Sequence, residues 1–336
     1  MSQTTTYNAV GDREDLQNWL TILEPEDTPK TSSFAKTPAP TNRLQEWQAD
    51  TLAAVDFAGV LEGSDVSAFN NEAANRGRFG NYIQKFRRPW MVSEEQEASD
   101  VAGVPSEVAY AKTKAVREVK RSIEAAIGSN NDMQADNGVV PYLTRGLGNW
   151  IQTTAQTVNP VPTKFLTPSG NINATSPNTG LTEALFNGVF QSIFTQNGGR
   201  RAYDLFAGPS LVTAINTFQR ATGDAGQTKT YMVTQDAEKN RIDLDVTIYK
   251  GSFHTVTVIP DMFNGLVDGA DVTTTTAVQL GRGYIIDQRL VGLGYMIRLG
   301  SHELENQGGG RRGFVNATLA LVCKNPRGLG KFAPTS

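Results

Sequence analysis

The most regular hydrophobic pattern in the chain lies between Pro105 and Ile127, and it predicts one long helix. Apolar residues recur there at three- and four-residue spacing, while most lysines and arginines lie on other faces. The apolar stripe consists of Val108, Ala111, Ala115, Val119, Ile123 and Ala126 or Ile127. Pro105 suits a first helical turn, and Gly128 marks the end. At about 1.5 Å per residue the helix would be about 35 Å long, and it is named the spine helix here.

Before the spine helix, two strand-like runs flank a segment of small residues and predict a hairpin. The runs are residues 43–49 and 81–90. The second run alternates, with Tyr82, Phe86 and Trp90 on one face and Ile83, Lys85 and Arg87 on the other. A two-stranded ribbon is marginally stable by itself in water, and the sequence shows no obvious sheet for it to join. We therefore expect the ribbon to be mobile or to pack on another molecule.

After the spine helix, residues 181 to about 260 alternate between helical and strand patterns and predict a compact α/β unit. A strongly apolar helix over 181–194 is followed by a buried strand at 203–207 and a second helix that opens at Pro209. Two alternating runs, 242–248 and 254–260, then predict a further hairpin. Near the C-terminus, residues 284–299 and 314–323 are strand-like. The mixture indicates an α+β fold.

The first forty residues show no such regularity. A short amphipathic stretch with Leu16, Leu20 and Leu23 suits a helix, but Pro25 to Pro40 contains four prolines and several hydroxyl residues. We expect this stretch to be extended and to act as a tethered arm.

Composition narrows the classes of function. Hydrophobic residues make up 39% of the chain and charged residues 19%, with a formal net charge of −3, which argues against a dedicated nucleic-acid reader. One cysteine excludes an intrachain disulfide, and two histidines nearly exclude a structural zinc site. The N-terminus shows no signal peptide, and no apolar run reaches the length of a membrane span. We therefore expect synthesis in the cytoplasm and no membrane partner.

No constellation of residues predicts catalysis, a cofactor or a metal. His254 lies in an alternating strand, His302 adjoins Glu303 in a polar segment, and Cys323 falls on an apolar strand face. The glycine-rich loop 308–313 lacks the Lys-Ser/Thr of a phosphate-binding loop, and residues 268–271 lack most positions of a calcium loop. A hydrolase with dispersed Asp, Ser and His remains a rival reading, although no Gly-x-Ser-x-Gly elbow is present. The prediction is a protein that is not an enzyme.

Several short motifs stand in an order that resembles a known family. In chain order the motifs are Arg13–Leu16, Pro25–Pro29, Glu46–Leu52, Glu62–Gly63, Gly80–Tyr82 and Glu107–Tyr110. This order resembles the major capsid proteins of tailed bacteriophages, which share the Hong Kong 97-like (HK97-like) fold. Pro25-Glu26 stands where that family more often has Pro-Thr, a minor departure.

The resemblance implies a division of the chain. It would consist of an N-terminal arm (1–41), an extended E-loop (42–94), a peripheral P-domain (95–180) with the spine helix at about 105–127, an axial A-domain (181–283), and C-terminal strands returning to the P-domain (284–336).

The resemblance also implies a function and partners. The chain would assemble with itself into pentamers and hexamers of an icosahedral or prolate phage head around double-stranded DNA, which it would contact non-specifically. Further partners would be a portal and, in some heads, decoration or scaffolding proteins; the location would be the virion, assembled in the host cytoplasm. The alternative with the same fold is the shell of a cellular encapsulin compartment.

In such a shell the hairpin would lie on a neighbouring subunit. The candidate contact residues are its aromatic and basic side chains: Trp47, Arg76, Arg78, Tyr82, Lys85, Phe86, Arg87, Arg88 and Trp90. The basic ones could pair between chains with acidic residues that follow, at 94, 95, 97 and 100, although each exposed pair contributes only about 0–1 kcal/mol and a merely solvated ribbon is the simpler reading. Some members of the family cross-link through an E-loop lysine. Residues 56–75 contain none, so we predict non-covalent contacts only.

Overall fold

A computed structural model describes most of the chain and shows two main β-sheets. The described residues are 27–66, 69, 71, 75–99, 101–196, 199, 202–218, 235–236, 241–242, 247–251, 254–266 and 276–334. The four-stranded sheet has the order β1 (Ala35–Thr37), β12 (Val291–Leu304), β13 (Arg311–Cys323), β4 (Gln84–Val92). The six-stranded sheet has the order β5 (Ile172–Asn173), β14 (Gly330–Phe332), β11 (Gly283–Ile286), β6 (Ala202–Ala207), β10 (Thr255–Pro260), β9 (Ile248–Lys250).

Two strand pairs stand apart from these sheets, and helices complete the fold. The pairs are β2 (Leu44–Ala49) with β3 (Gly77–Tyr82), and β7 (Gln235–Asp236) with β8 (Arg241–Ile242). The helices are α1 (Pro29–Ser33), α2 (Glu94–Ala98), α3 (Glu107–Gly128), α4 (Leu147–Trp150), α5 (Glu183–Gln196), α6 (Pro209–Phe218) and α7 (Ala277–Leu280). Short 3₁₀ turns occur at Thr163–Phe165, Ser169–Asn171 and Pro326–Gly328. The predicted α+β class is confirmed.

The predicted spine helix is α3, and it packs on the four-stranded sheet. Val119, Ile123 and Ile127 are fully buried in one core with β13. At its start, the Ser106 hydroxyl accepts from the Ala109 amide. Pro105 therefore precedes the cap and does not lie in the first turn. The Glu97 carboxylate accepts from both the Ser106 hydroxyl and the Val108 amide, and these hydrogen bonds lower the pKa of Glu97.

The predicted α/β unit is also present, with its own core between α5, α6 and the six-stranded sheet. The connection from β6 through α6 leads to β10, which lies parallel to β6. Only part of the predicted hairpin can be followed, since β9 pairs with β10 while residues 243–246 lie outside the described ranges.

The C-terminal strands divide between the two sheets, which corrects the prediction that all of 284–336 returns to the P-domain. β11 and β14 lie in the six-stranded sheet beside β6, and only β12 and β13 lie in the other. A turn separates β11 from β12, where the Asp287 carboxylate binds the Arg289 guanidinium (2.9 Å). Apolar residues flank this turn on both sides, so hydrophobicity alone did not reveal the break.

The Pro-rich stretch is docked within the chain, so the prediction of an extended tethered arm is wrong for residues 28–37. Lys30 is fully buried, and its backbone amide donates to the Glu124 carboxylate of α3 (2.7 Å). The Lys30 ammonium contacts Asp261 and donates to the Asn264 amide oxygen (3.1 Å). Phe34 packs edge-to-face on Phe206, and β1 runs parallel to β12. The predicted amphipathic helix at 16–23 lies outside the described residues.

The predicted returning strand of the first hairpin is two strands. β3 pairs with β2 and ends at Tyr82, and β4 begins at Gln84 and pairs with β13 over nine residues. The expectation that this ribbon has no sheet to join is therefore wrong for its second half.

Candidate interaction surface: the hairpin tip and the groove beside α3

The root of the β2–β3 hairpin is fixed by a buried asparagine. The Asn81 side-chain amide donates to the Thr144 hydroxyl (2.9 Å) and the Leu321 carbonyl (2.7 Å), and its oxygen accepts from the Arg145 amide (2.8 Å). One side chain thus joins β3 to β13 and to the segment before α4. Because all these groups are buried, the hairpin leaves the subunit in one fixed direction.

An aromatic cluster supports the same root. Trp47 lies 5.7 Å from Trp150 and 6.5 Å from Phe79 between ring centroids, and its indole N–H donates to the Cys323 carbonyl (2.9 Å). Gly77 has no room for a side chain, since a Cβ there would lie 2.5 Å from the Phe165 ring. These contacts hold β2 and β3 against the chain's own core.

Arg145 packs against this aromatic cluster through the ring of Trp150. Its guanidinium is fully buried, binds the Asp132 carboxylate (2.7 Å), donates to the Val158 carbonyl, and lies 4.7 Å from the centre of the Trp150 ring. Burial lowers the pKa of Arg145. An arginine remains charged at any ordinary pH, so the ion pair to Asp132 persists.

Beyond the rigid root, the connection between β2 and β3 exposes an unusual number of large apolar side chains. Residues 50–66 and 69 are named the hairpin tip. Its seven large apolar residues are between 71% and 98% exposed: Leu52, Val55, Phe57, Val60, Leu61, Val66 and Phe69. Single exposed apolar residues are ordinary, but a run of this kind is typical of surfaces that bind another molecule.

The hairpin tip is also acidic. Its charged side chains are Asp50, Asp56, Glu62 and Asp65, and residues 50–66 include no lysine or arginine. Sequence reasoning missed this surface because its apolar residues follow neither a helical nor a strand period. The sequence does contain one signal of this surface, which is the large number of apolar residues in a stretch with no regular pattern.

A groove of about 560 Å³ lies between β4 and α3. The β4 wall carries Lys85, Arg87 and Arg88, and the α3 wall carries Glu118 and Arg121. In the lining that the structure describes, four basic residues thus accompany one acidic residue, and the Arg88–Glu118 ion pair is long at 3.7 Å. Apolar lining comes from Val119, Phe263 and Leu266. The groove is therefore basic with an apolar component.

The predicted contact residues fall into three groups. Lys85, Arg87 and Arg88 are exposed on the groove. Trp47, Tyr82, Arg76 and Arg78 interact within the chain: Tyr82 packs on Tyr142, Arg76 lies 3.3 Å from Asp50, and Arg78 binds Glu46 (2.9 Å).

Phe86 and Trp90 form the third group. For them, the prediction of a contact with a neighbouring subunit is corrected. They are only 8% and 7% exposed, inside the core beneath α3. The expected aromatic face of the ribbon therefore covers the chain's own core and offers little surface to a neighbour.

The acidic residues proposed to pair with the ribbon also have local roles. The Glu94 carboxylate accepts from the Asn306 amide (2.6 Å), and Glu97 binds the start of α3. Asp100 lies outside the described residues.

The residues considered for catalysis take part in packing. His254 is buried and stacks on Phe190 with ring centroids 4.4 Å apart, and burial lowers its pKa to about 4. Cys323 is buried, which raises the pKa of its thiol. Within the described ranges, no three His, Cys, Asp or Glu side chains are grouped to hold a metal ion. Every helix in these ranges is too short or too polar to span a bilayer.

Comparison with known proteins places this geometry in a family. A family model described as SU10 major capsid protein matches residues 1–336, the whole chain. The chain belongs to the SU10 major capsid protein family. A curated major capsid protein of Escherichia phage Phieco32 is 30% identical over 143 residues, an alignment that spans 41% of this chain and only 39% of that protein.

Solved structures show the fold of this family member. A chain titled Mycobacterium phage Bobi superposes with a TM-score of 0.61 at 10% identity and covers 100% of both chains. The encapsulin SrpI of Synechococcus elongatus superposes with a TM-score of 0.53 at 10% identity, covering 99% of this chain and 96% of its own. The predicted HK97-like fold is confirmed. Because phage and encapsulin chains share it, the family match, not the fold, decides between them.

Proposed function

We propose that this capsid protein assembles into pentamers and hexamers of a closed phage head, and that the hairpin tip of each copy lies in the β4–α3 groove of an adjacent copy. The observation that carries the proposal is the exposed apolar tip on a rigid root. If both the tip and its root were flexible, docking would cost the conformational entropy of both. A root that is already fixed lowers this entropy cost.

Charge supports the choice of the groove as the docking site. Residues 50–66 carry four acidic side chains and no basic ones, a net charge of −4. The groove carries Lys85, Arg87, Arg88 and Arg121 against Glu118, which gives +4 − 1 = +3. Opposite potentials of this kind guide association and disfavour wrong partners.

The apolar residues supply most of the free energy. Fully burying one large apolar side chain contributes about 1.5–3 kcal/mol, whereas one exposed ion pair contributes about 0–1 kcal/mol. With seven exposed apolar residues on each tip, partial burial in every contact exceeds what the charges provide. The charges then set the register of docking, and salt weakens their part.

The remaining parts of the proposal follow from a role in a phage head. The protein acts as a structural component of the virion, with no catalytic function, and assembles in the host cytoplasm around or ahead of double-stranded DNA. A portal and, in some heads, decoration or scaffolding proteins complete the particle. The DNA is contacted without sequence specificity, in keeping with a net charge of −3.

Replacing the hairpin tip tests this function. A variant in which a short Gly-Ser turn replaces residues 52–75 keeps β2, β3 and the buried Phe79. We expect a subunit that unfolds cooperatively near the wild-type temperature, as measured by circular dichroism, but forms no shells in electron micrographs. Normal shells from this variant would show that the tip is dispensable and would overturn the docking proposal.

A triple substitution is the gentler form of the test. Val55→Ser, Phe57→Ser and Leu61→Ser keep the chain length and remove three exposed apolar side chains. A matched control, Val139→Ser with Ile248→Ser, removes exposed apolar side chains elsewhere. We expect loss of shells from the first variant and wild-type shells from the control; equal yields would contradict the proposal.

SrpI shares the fold, so an encapsulin-type shell is the alternative that the family match disfavours and that the content of the shell tests. The content of shells purified from infected cells separates the two. A phage head contains double-stranded DNA, whereas a compartment of the encapsulin type contains a protein cargo and no genome.

A further inference from the structure

A second cavity, of about 300 Å³, lies where the C-terminal end of α3 meets the six-stranded sheet. Asn130 and Gly148 line it from the side of α3 and α4. Arg282, Tyr284 and Lys331 line it from the sheet. Neither the hairpin tip nor the β4–α3 groove contributes to this pocket.

Strand register explains why Tyr284 and Lys331 project together. Tyr284 in β11 is the direct partner of Lys331 in the antiparallel strand β14, and cross-strand partners share a face of the sheet. Arg282 lies immediately before β11 and lines the same pocket, so two basic residues flank one tyrosine.

Among the residues that the structure describes, neither basic residue has an acidic partner in this pocket. Its lining contains no carboxylate, and the Arg282 Nε atom is buried without a hydrogen-bond acceptor in the part of the chain that the structure describes. The Lys331 ammonium donates to the Gly148 carbonyl (2.8 Å). Burial and the nearby Arg282 lower the pKa of Lys331 to about 8. Two cations thus lie close together and partly out of water.

The C-terminal end of α3 compensates only part of the positive charge of Arg282 and Lys331. The Tyr284 hydroxyl donates to the Gly128 carbonyl at the end of α3 (2.9 Å), and burial raises the pKa of Tyr284 to about 12, so this donor stays protonated. The end of a helix carries about half a negative elementary charge, which favours cations nearby. Two full positive charges therefore exceed what the helix end offers.

We propose that this pocket binds a phosphate group, held by Arg282 and Lys331. An oxyanion in the pocket separates the two like charges and balances them. Arginine is suited to phosphate because its planar guanidinium presents several donors in a fixed fork. The cavity accommodates one phosphate group with several waters, since a water molecule occupies about 30 Å³ of liquid.

Binding there would connect the two sheets of the subunit. Lys331 and Tyr284 belong to the six-stranded sheet, while Gly148 and Gly128 belong to the segments that pack on the four-stranded sheet. Because the pocket exists only in the folded chain, a phosphate group bound there stabilises the folded subunit.

Thermal unfolding of the full chain tests the site. Sodium phosphate is compared with sodium chloride at matched ionic strength at pH 7, with Arg282→Gln, Lys331→Met and the exposed control Lys250→Met. We expect a saturable increase in Tm for the wild type and for Lys250→Met. The apparent affinity falls roughly tenfold or more in Arg282→Gln and Lys331→Met, because each loses a charged hydrogen bond. The same increase in all four proteins, or none in the wild type, would overturn the proposal.

Sulfate gives a second readout that does not depend on the folding of a variant. Its charge is constant between pH 7 and 9.5, whereas Lys331 loses its proton over that range. The wild-type affinity for sulfate should therefore be weaker at pH 9.5, and equal affinity at both values would count against Lys331. A short DNA duplex, tested in parallel with inorganic phosphate, identifies the source of the phosphate group. Binding of the duplex that Arg282→Gln leaves unchanged would contradict a role for this pocket.

Discussion

A single buried charge, Lys30, fastens the N-terminal segment to the rest of the subunit. Its ammonium lies between Glu124 of α3 and Asp261, which follows β10. The three residues come from distant parts of the sequence, and nothing local marks Lys30 as different from an exposed lysine. The prolines predicted an extended arm, because local propensity reflects only residues that are neighbours in sequence. The partners of Lys30 lie 94 (Glu124) and 231 (Asp261) positions away.

Lys30→Met should destabilise the subunit strongly. The substitution keeps most of the side-chain volume but leaves the Glu124 and Asp261 carboxylates buried without their shared cation. Removing one partner of a buried ion pair costs about 3–5 kcal/mol in the free energy of unfolding, which urea titration measures. Lys36→Met, at an exposed position in β1, is the control and should change the value by less than about 0.5 kcal/mol. Similar values for both variants would show that the buried cluster contributes little.

His254 should make stability depend on pH. Burial lowers its pKa to about 4, against about 6.5 in an unfolded chain. Between these values the unfolded chain binds a proton that the folded chain does not, so stability falls as pH decreases from 6.5 towards 4. His254→Phe, whose ring can also stack on Phe190, should lose less stability than the wild type between pH 7 and 5 in urea titrations. An identical loss in both proteins would remove His254 as the cause.

At the scale of elements, the hairpin shows what a hydrophobic pattern can and cannot predict. Alternation correctly assigned Phe86 and Trp90 to one face of the ribbon. Alternation did not show what covers that face. In the structure, β13 and α3 of the same chain cover it. The long spine helix was predicted nearly to the residue, because a 22-residue amphipathic helix repeats its signal many times. The irregular hairpin tip repeats nothing, and only the structure showed its exposure.

Charge reversal should distinguish docking of the tip in the groove from non-specific hydrophobic association of the tip. Lys85→Glu with Arg87→Glu reverses two charges of the groove, and we expect assembly to slow, as followed by light scattering. Adding Asp56→Lys and Glu62→Lys on the tip should restore much of the rate, because opposite charges again face each other. A control reversal, Lys114→Glu with Lys120→Glu on the exposed face of α3, should have a smaller effect. No recovery in the fourfold variant would place the tip on another surface.

At the scale of the whole molecule, the order of elements was predictable and their assignment to sheets was not. The hairpin, spine helix, α/β unit and terminal strands occur in the predicted order. The crossing of β11 and β14 into the six-stranded sheet depends on a turn at Asp287 and on pairings between strands far apart in sequence. Such long-range pairing leaves no periodic signal. The family match adds the identity of the fold, which pattern alone does not supply.

Assembled shells should contain no covalent bonds between subunits. The hairpin tip has no lysine, and the single cysteine is buried. Boiling purified shells in SDS should therefore give one band at the 36.4 kDa of the monomer. A ladder of larger species that survives this treatment would show a cross-link that these residues do not explain.

Electron cryomicroscopy of shells assembled from the full chain shows directly where each hairpin tip lies. We predict closed shells with five- and six-fold capsomers, in which density for the apolar hairpin tip fills the groove between β4 and α3 of an adjacent copy. Shells in which the tip projects into solvent or lies on its own subunit, or a chain that forms no shells, would contradict this prediction.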